Sequence, residues 1–195
     1  MKTIEIIGFK RANLGKKDAK AIRAEGMVPC VMYGGADQVH FNVPNILFRD
    51  LIYTPEARMV DLNLEGTHYK CILQDAQFHP VNESILHVDF FQLNEEKPVK
   101  MSIPVKLTGT SVGVAKGGKL TTLLRKLKIE ALPKNMPDFI ELDVTELELG
   151  KSAKVNTITA GNYRILNSGN IPVASVVIPR ALRGKQTAED EKGKK

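Results

Sequence analysis

The chain has no tryptophan, and aromatic residues make up only 6% of its 195 residues. It contains no apolar run near the roughly 18 residues of a membrane-spanning helix, so no membrane partner is expected. Glu5 stands where a signal peptide would need apolar residues, which argues against export by that route. Two cysteines, Cys30 and Cys71, can form neither a disulfide framework nor a four-thiolate zinc site. A reducing, cytoplasmic location is therefore expected.

Motifs that bind nucleotides or carry nucleophiles are missing as well. The glycines between residues 113 and 118 lack the lysine and hydroxyl of a phosphate-binding loop, and no nucleophile-elbow pattern occurs. We therefore expect neither a cofactor nor a small-molecule substrate.

Positive charge is concentrated at the N-terminus. The whole chain carries +6, residues 1–26 carry a net +4, and residues 27–94 carry a net −5. This polarity fits a polyanion contact made by one edge of a domain, and a solvated helix face would give the same pattern. Residues 116–128, with five bases and no acid, leave the same two alternatives open.

Hydrophobic periodicity predicts a mainly β protein of two domains. In the first half, alternation predicts six strands and spacing predicts two short helices, at 15–26 and 44–53. The predicted strands are 3–9, 28–33, 39–43, 59–64, 67–78 and 85–93, with Glu65-Gly66 as a hairpin turn. The polar residues 94–98 mark the expected boundary.

The second half has strand-like runs and no convincing long helix. These runs, at 99–107, 121–132, 139–144, 153–158 and 173–178, are typical of a small antiparallel β domain. We therefore predict a first domain over residues 1–94, a second over 95–182 and a flexible charged tail over 183–195.

A polar patch is predicted on two neighbouring strands. His87 and Asp89 share one face of a strand because side chains two apart point the same way, and Leu86, Val88 and Phe90 are expected on the other. On the preceding strand, Asp75, Gln77 and His79 are expected on one face and Ile72, Ala76 and Phe78 on the other.

The patch allows several interpretations. His79, His87 and Asp89 are the groups that a small hydrolase or a metal enzyme would use. His, Gln and Asp also suit a surface that hydrogen-bonds exposed bases or ribose hydroxyls of RNA. They would equally be found as ordinary surface polar residues.

Several motifs in series resemble one known family. Residues 15–16, 22–29 and 31–35 resemble a pattern written GK…LRxxGxxPxxxYG, and residues 77–80 and 87–90 resemble its continuation, Q-x-HP…HVDF. Further matches lie at Pro104, Gly109, residues 113–114, 117–118, 132–133, Pro137 and 141–144. The chain thus resembles the bacterial large-subunit ribosomal proteins that bind 5S ribosomal RNA, the general stress protein Ctc family, in its long form.

The resemblance implies a structural ribosomal protein and not an enzyme. An N-terminal β-barrel with short helices would bind 5S ribosomal RNA in the central protuberance, beside neighbouring ribosomal proteins, followed by a C-terminal β domain. A general RNA-binding stress protein, without selectivity for one RNA, remains an alternative. The implied RNA-binding positions, together with those nearby, are Arg11, Lys16, Lys20, Arg23, Tyr33, Gln77, His79, His87 and Asp89.

Overall fold

The computed structural model describes residues 1–159 and 161–179, and these form two compact units. The first comprises Met1–Met101 and Ala131–Asp138, and the second comprises Ser102–Glu130 and the described residues from Phe139 onward. The predicted tail over 183–195 lies outside the described residues. None of the helices described is long and apolar enough to cross a membrane.

The first unit contains a closed six-stranded barrel, as predicted. Its strands follow the order β1-β3-β2-β6-β5-β4, in which β1 pairs parallel with β4 and β2 pairs parallel with β6. The strands are β1 (Thr3–Lys10), β2 (Met27–Tyr33), β3 (Val39–Pro44), β4 (Met59–Leu64), β5 (Thr67–Phe78) and β6 (Ile85–Gln92). Helix α1 (Lys16–Ala24) joins β1 to β2, and a 3-10 turn (Asn45–Phe48) leads into α2 (Arg49–Ile52).

Alternating apolar side chains fill the barrel. Phe90 lies at the centre of the core, with its ring centroid 5.7 Å from Phe41 and 6.3 Å from Phe48. All three are fully buried, and each buried phenylalanine contributes roughly 1.5–3 kcal/mol. Cys30 and Cys71 are free thiols within the same core.

The β4–β5 hairpin confirms the predicted turn. Glu65 and Gly66 have φ angles of 54° and 90°, which a two-residue hairpin turn of the mirror-image type requires. The Gly66 amide donates to Asn63 Oδ1 at 3.0 Å. The turn thereby sets the register in which Leu64 faces Thr67.

A β-bulge in β6 changes which of its side chains face the core. Ile85 pairs with β5 and packs in the core, and the next paired residue is His87, so Leu86 is the extra residue. The prediction that Leu86 shares the core face with Val88 is wrong, because an extra residue reverses the alternation. His87 and Asp89 still share the outer face, as predicted.

A second bulge lies in β5. The register there skips Gln74, so Leu73 before it and Ala76 after it both pack against the core. Ile72, opposite Phe91 of β6, is also buried, at 2% exposure, but it lies outside the cluster that fills the barrel. The prediction that Ile72 shares a face with Ala76 is therefore wrong, for the same physical reason.

The strands that follow the barrel form two sheets, and most of their residues belong to the second unit. They are β7 (Val99–Thr108), β8 (Lys119–Thr122), β9 (Lys126–Ala131), β10 (Ile140–Asp143), β11 (Ser152–Lys154), β12 (Arg164–Ile165) and β13 (Pro172–Val177). One sheet has the order β10-β7-β9-β12 and the other the order β11-β13-β8. A single-turn helix, α3 (Val112–Ala115), begins at Ser111, whose hydroxyl accepts from the Gly113 amide.

The predicted β architecture of this half is confirmed, with differences in detail. The predicted strand 121–132 is interrupted between β8 and β9, and 153–158 is a short strand followed by a 3-10 turn at Val155–Thr157. The β7–β10 pair is parallel, whereas the β9–β12, β11–β13 and β13–β8 pairs are antiparallel. Strand direction depends on distant partners, which local alternation does not encode.

Candidate nucleic-acid interface

Four outward-facing side chains of β5 and β6 form a contiguous polar surface, here called the β5–β6 patch. Asp75 lies directly opposite Asp89, and Gln77 lies opposite His87. Directly opposed side chains have Cβ atoms about 5 Å apart. Two opposed carboxylates destabilise a sheet, so a hydrogen-bond donor or cation that binds there would relieve a repulsion already present.

The imidazole of His87 is oriented by Asp89. His87 Nδ1 lies 2.7 Å from Asp89 Oδ1, and the two side chains are 32% and 30% exposed. An ionised carboxylate only accepts hydrogen bonds, so Nδ1 carries the proton in this pair. Nε2 is then the ring nitrogen available to an external partner, and the second oxygen of Asp89 can accept a further donor.

Tyr33 extends this surface onto β2. Its ring meets that of Phe91 edge to face, with centroids 5.9 Å apart. Gly34 permits this packing, because a Cβ there would lie 2.7 Å from the Phe91 ring. Burial raises the pKa of the Tyr33 phenol, and the charges of Asp89 and Asp75 raise it further. The hydroxyl is therefore a hydrogen-bond donor at neutral pH.

Helix α1 brings the basic N-terminal segment to the same side of the barrel. It packs against β2, and Ile22 and Val31 are buried there, outside the barrel's own core. At its last turn, Arg23 Nη1 donates to the Leu86 carbonyl at 3.2 Å, at the bulge that precedes His87. The basic helix and the β5–β6 patch therefore form one continuous surface.

The lysines of α1 are open to solvent. Lys16 and Lys20 are exposed and lie four residues apart, on one face of the helix. Among the described residues, no carboxylate lies within 4.0 Å of either ammonium group. Both charges are available to a polyanion.

Two of the predicted site residues are engaged within the protein. Arg11 Nη2 lies 2.6 Å from Asp18 Oδ2, and its side chain is only 8% exposed. His79 lies in the turn between β5 and β6, where its Nδ1 accepts from the amides of Val81 and Asn82 at 3.3 and 3.4 Å. The structure therefore gives His79 a role in shaping the turn.

The geometry does not favour hydrolytic or metal chemistry. In residues 1–159 and 161–179, no three His, Cys, Asp or Glu side chains come together as metal ligands would. Burial raises the pKa of the Cys30 thiol, and burial and Asp61 raise that of Cys71 to about 12. Neither thiol is a nucleophile at neutral pH.

Sequence reasoning missed the contacts that connect helix α1 to the barrel. The Arg23–Leu86 hydrogen bond spans 63 residues and depends on a bulge that no local pattern indicates. The Arg11–Asp18 pair spans only seven residues. The only signal in the sequence for this ion pair was the position of Asp18, an acid that follows Arg11 closely within a basic segment.

Two family models match the chain and together cover most of it. The model described as the Ribosomal L25p family matches residues 6–90. The model described as Ribosomal protein TL5, C-terminal domain, matches residues 98–180.

Individual relatives are similar over nearly their whole length. A protein of Cytophaga hutchinsonii named large ribosomal subunit protein bL25 is 55% identical to this chain, over 98% of this chain and 100% of the relative. The protein of the same name in Amoebophilus asiaticus is 52% identical, over 100% of both chains. The corresponding protein of Porphyromonas gingivalis is 46% identical over 94% of this chain and 97% of its own.

Proposed function

Because the chain belongs to the ribosomal L25p family, in the form that also carries a TL5-type C-terminal domain, we propose that its barrel binds 5S ribosomal RNA in the large ribosomal subunit. The location within that subunit would be the central protuberance, beside neighbouring ribosomal proteins. The family consists of ribosomal proteins, so no catalytic role is assigned.

The observation that carries this proposal is the continuity of the surface. Arg23 joins the last turn of α1 to the β6 bulge, so the cationic helix lies directly beside the β5–β6 patch. A helix that attracts phosphates, next to side chains that hydrogen-bond bases, is the combination that selective RNA binding needs.

Each exposed group has a role that suits its chemistry. Lys16 and Lys20 neutralise phosphates. Tyr33 donates a hydrogen bond or stacks on a base, while Gln77 and His87 hydrogen-bond base edges or phosphates. Asp89 accepts from a base amino or imino group, or from a ribose hydroxyl, since phosphate would repel it.

The closure of the barrel supports assigning this binding to residues 1–94. All six strands of the barrel end by Gln92, and the barrel is closed without any later strand. Residues 95–182 would then be a second domain that the RNA-binding barrel does not need for its own closure.

Binding should be tested with purified protein and a bacterial 5S ribosomal RNA transcript, using an unrelated structured RNA of equal length as competitor. We expect the unrelated RNA to compete poorly, and we expect the protein to copurify with the large subunit. Equal competition would favour a general RNA-binding protein. Failure to travel with the subunit would contradict the proposal.

A matched pair of histidine variants makes the test specific to the surface. His87→Ala should weaken 5S binding. His68→Ala should leave it unchanged, although His68 Nδ1 is also paired with an aspartate, Asp61 Oδ2, at 3.1 Å. Equal losses in both variants would show that the β5–β6 patch is not the site.

A further inference from the structure

The sheet β11-β13-β8 of the second unit has two different faces. Ala153 of β11 is paired with Ala174 of β13, and Val176 lies two residues further along β13, so these three side chains share one face. They are 7%, 0% and 1% exposed. The register shifts between Ala153 and Lys154, and the extra residue of β13, Val173, is also fully buried. The opposite face of the sheet is therefore the one left open to a partner.

A row of hydroxyls crosses the open face. Ser175, on the central strand β13, is paired with Ser152 of β11 on one side and with Thr121 of β8 on the other. Neighbouring strands lie about 4.8 Å apart, so the row extends over roughly 10 Å. Ser152 is exposed, and Ser175 and Thr121 are partly exposed. All three strands thus present a hydrogen-bond donor on the same face.

Exposed lysines stand at both margins of this face. Lys119 lies two residues before Thr121 on β8, and Lys154 lies two residues after Ser152 on β11, so both share the face of the hydroxyls. β8 and β11 are the edge strands of the sheet. Within the part of the chain that the structure describes, no carboxylate lies within 4.0 Å of either ammonium group. The sequences of the three strands contain no aspartate or glutamate.

The hydroxyl face, as we call Lys119, Thr121, Ser152, Lys154 and Ser175 together, has the chemistry of a surface that binds phosphates. Lysines neutralise phosphates, and serine and threonine hydroxyls donate to phosphate oxygens. Lysines on edge strands also discourage pairing with another sheet. That role does not require hydroxyls on the central strand, whereas binding to an RNA backbone uses both kinds of group.

We propose that the hydroxyl face binds the phosphate backbone of a helix of large-subunit ribosomal RNA other than the 5S RNA. The proposed 5S surface lies entirely on the barrel, and residues 1–94 are expected to bind the 5S RNA by themselves. The inference rests on that proposed function, because the barrel brings the chain to the ribosome. The contact reads no sequence, since phosphates are the same at every nucleotide.

A weak contact is sufficient at this position. Two lysines and three hydroxyls bind RNA weakly when they act alone. The covalent link to a barrel that is already bound raises the local concentration of the neighbouring RNA, to values on the order of millimolar for short flexible linkers. The hydroxyl face therefore needs only a low intrinsic affinity to be occupied on the ribosome.

The test compares two targets for the full chain, a 5S ribosomal RNA transcript alone and large subunits prepared from a strain that lacks this protein. The variant is the double substitution Lys119→Ala/Lys154→Ala. Its affinity for the transcript should stay within about twofold of the unaltered chain. Its affinity for the subunit should fall by roughly tenfold or more at 0.1 M salt, and the slope of log K against log salt should fall by about 1.4–1.8, or 0.7–0.9 for each phosphate. An equal loss on both targets would assign the face to the 5S RNA and overturn the proposal.

A matched lysine pair controls for net charge. Lys126 and Lys128 are exposed on β9, in the other sheet of this half of the chain, and their double alanine variant removes the same charge. This variant should bind subunits with unchanged affinity and salt slope. Losses equal to those of Lys119→Ala/Lys154→Ala would show that only the overall charge matters, which contradicts a specific face.

The hydroxyls are tested separately from the charges. Thr121→Val/Ser175→Ala keeps both lysines and should weaken subunit binding by roughly twofold to tenfold with no change in salt slope. Thermal melting confirms that each variant is folded. Unchanged subunit binding in this variant and in the lysine variant would refute the proposal and leave only the protection of the sheet edges as a role for the lysines.

Crosslinking identifies the partner directly. Ser152→Cys places a reactive thiol on the hydroxyl face, and the two native cysteines, Cys30 and Cys71, are buried and do not compete for a photoreactive label. On the ribosome the label should crosslink to RNA outside the 5S molecule. Crosslinks to protein alone, or to the 5S RNA alone, would overturn the proposal. If the unaltered chain failed to bind the 5S transcript, the proposed function of the barrel would fail, and the crosslinks and the subunit affinities would still decide the role of the hydroxyl face.

Discussion

Replacing Asp89 with alanine removes the one acid that the proposed surface needs for RNA recognition. Asp89 is 30% exposed, accepts from His87 Nδ1 at 2.7 Å and lies directly opposite Asp75. In the complex it would accept one hydrogen bond from the RNA. The alanine variant leaves that donor unpaired and also releases the His87 ring from its fixed orientation.

An unpaired donor in a partly dry interface costs roughly 1–3 kcal/mol, which corresponds to about 5- to 150-fold weaker binding. A purely electrostatic interface predicts the opposite sign, because the variant removes a negative charge near phosphates. Protein stability should change by less than about 0.5 kcal/mol, since losing one of two opposed carboxylates relieves repulsion.

The assay is 5S ribosomal RNA affinity at constant salt, with thermal melting to confirm folding. Asp61→Ala is the matched control, because Asp61 Oδ2 pairs with His68 Nδ1 at 3.1 Å in the same manner, on β4 and β5. The pKa of Tyr33 should also fall in Asp89→Ala, because Asp89 raises it in addition to burial. Unchanged or tighter RNA binding by a folded Asp89→Ala protein would refute the claim that this face reads the RNA.

Three further outcomes are expected. A fragment of residues 1–94 should fold, because the last strand of the barrel ends at Gln92. Its affinity for 5S ribosomal RNA should lie within about tenfold of that of the full chain, some 1.4 kcal/mol. A larger loss of affinity would show that the C-terminal domain contacts the RNA. Lys20→Ala should lower both the affinity and the salt slope, the latter by roughly 0.7–0.9, and an unchanged slope would exclude a phosphate contact. Cys71 has a folded pKa of about 12, above its unfolded value, so its own contribution to stability should be constant below pH ~9 and fall by up to about 1.4 kcal/mol per pH unit between pH ~9 and 12. Denaturant titrations at pH values below and above ~9 measure this decrease in stability. The decrease should be smaller in Cys71→Ala.

Local patterns were sufficient to locate most elements of the barrel. Alternation located the strands, and the Glu65-Gly66 pair predicted the hairpin because glycine readily adopts the positive φ that Gly66 has in the turn. Two-residue periodicity also placed His87 and Asp89 together, since both lie beyond the bulge in β6. The sheet faces of Leu86 and Ile72 were predicted wrongly, because bulges are created by pairing with another strand.

The candidate site, like the barrel, could be predicted from the sequence only in part. The residue types alone indicated a basic N-terminal edge and a polar patch on His87 and Asp89, because charge and side-chain chemistry can be read without coordinates. The sequence does not reveal that these two features adjoin, because that depends on the register of β2 against β6 and on the Arg23 hydrogen bond. Nor does it reveal that Arg11 is buried.

The sequence by itself determined which residues alternate, where turns are allowed and how much charge each segment carries, since these depend on neighbours within a few positions. Only the tertiary structure decided that β1 pairs parallel with β4, which closes the barrel, and that Arg11 faces Asp18 instead of solvent. Both depend on the free energy of the whole packed domain. Strand pairing satisfies backbone groups across long separations, and a buried guanidinium is tolerated only where folding brings a carboxylate within hydrogen-bonding distance.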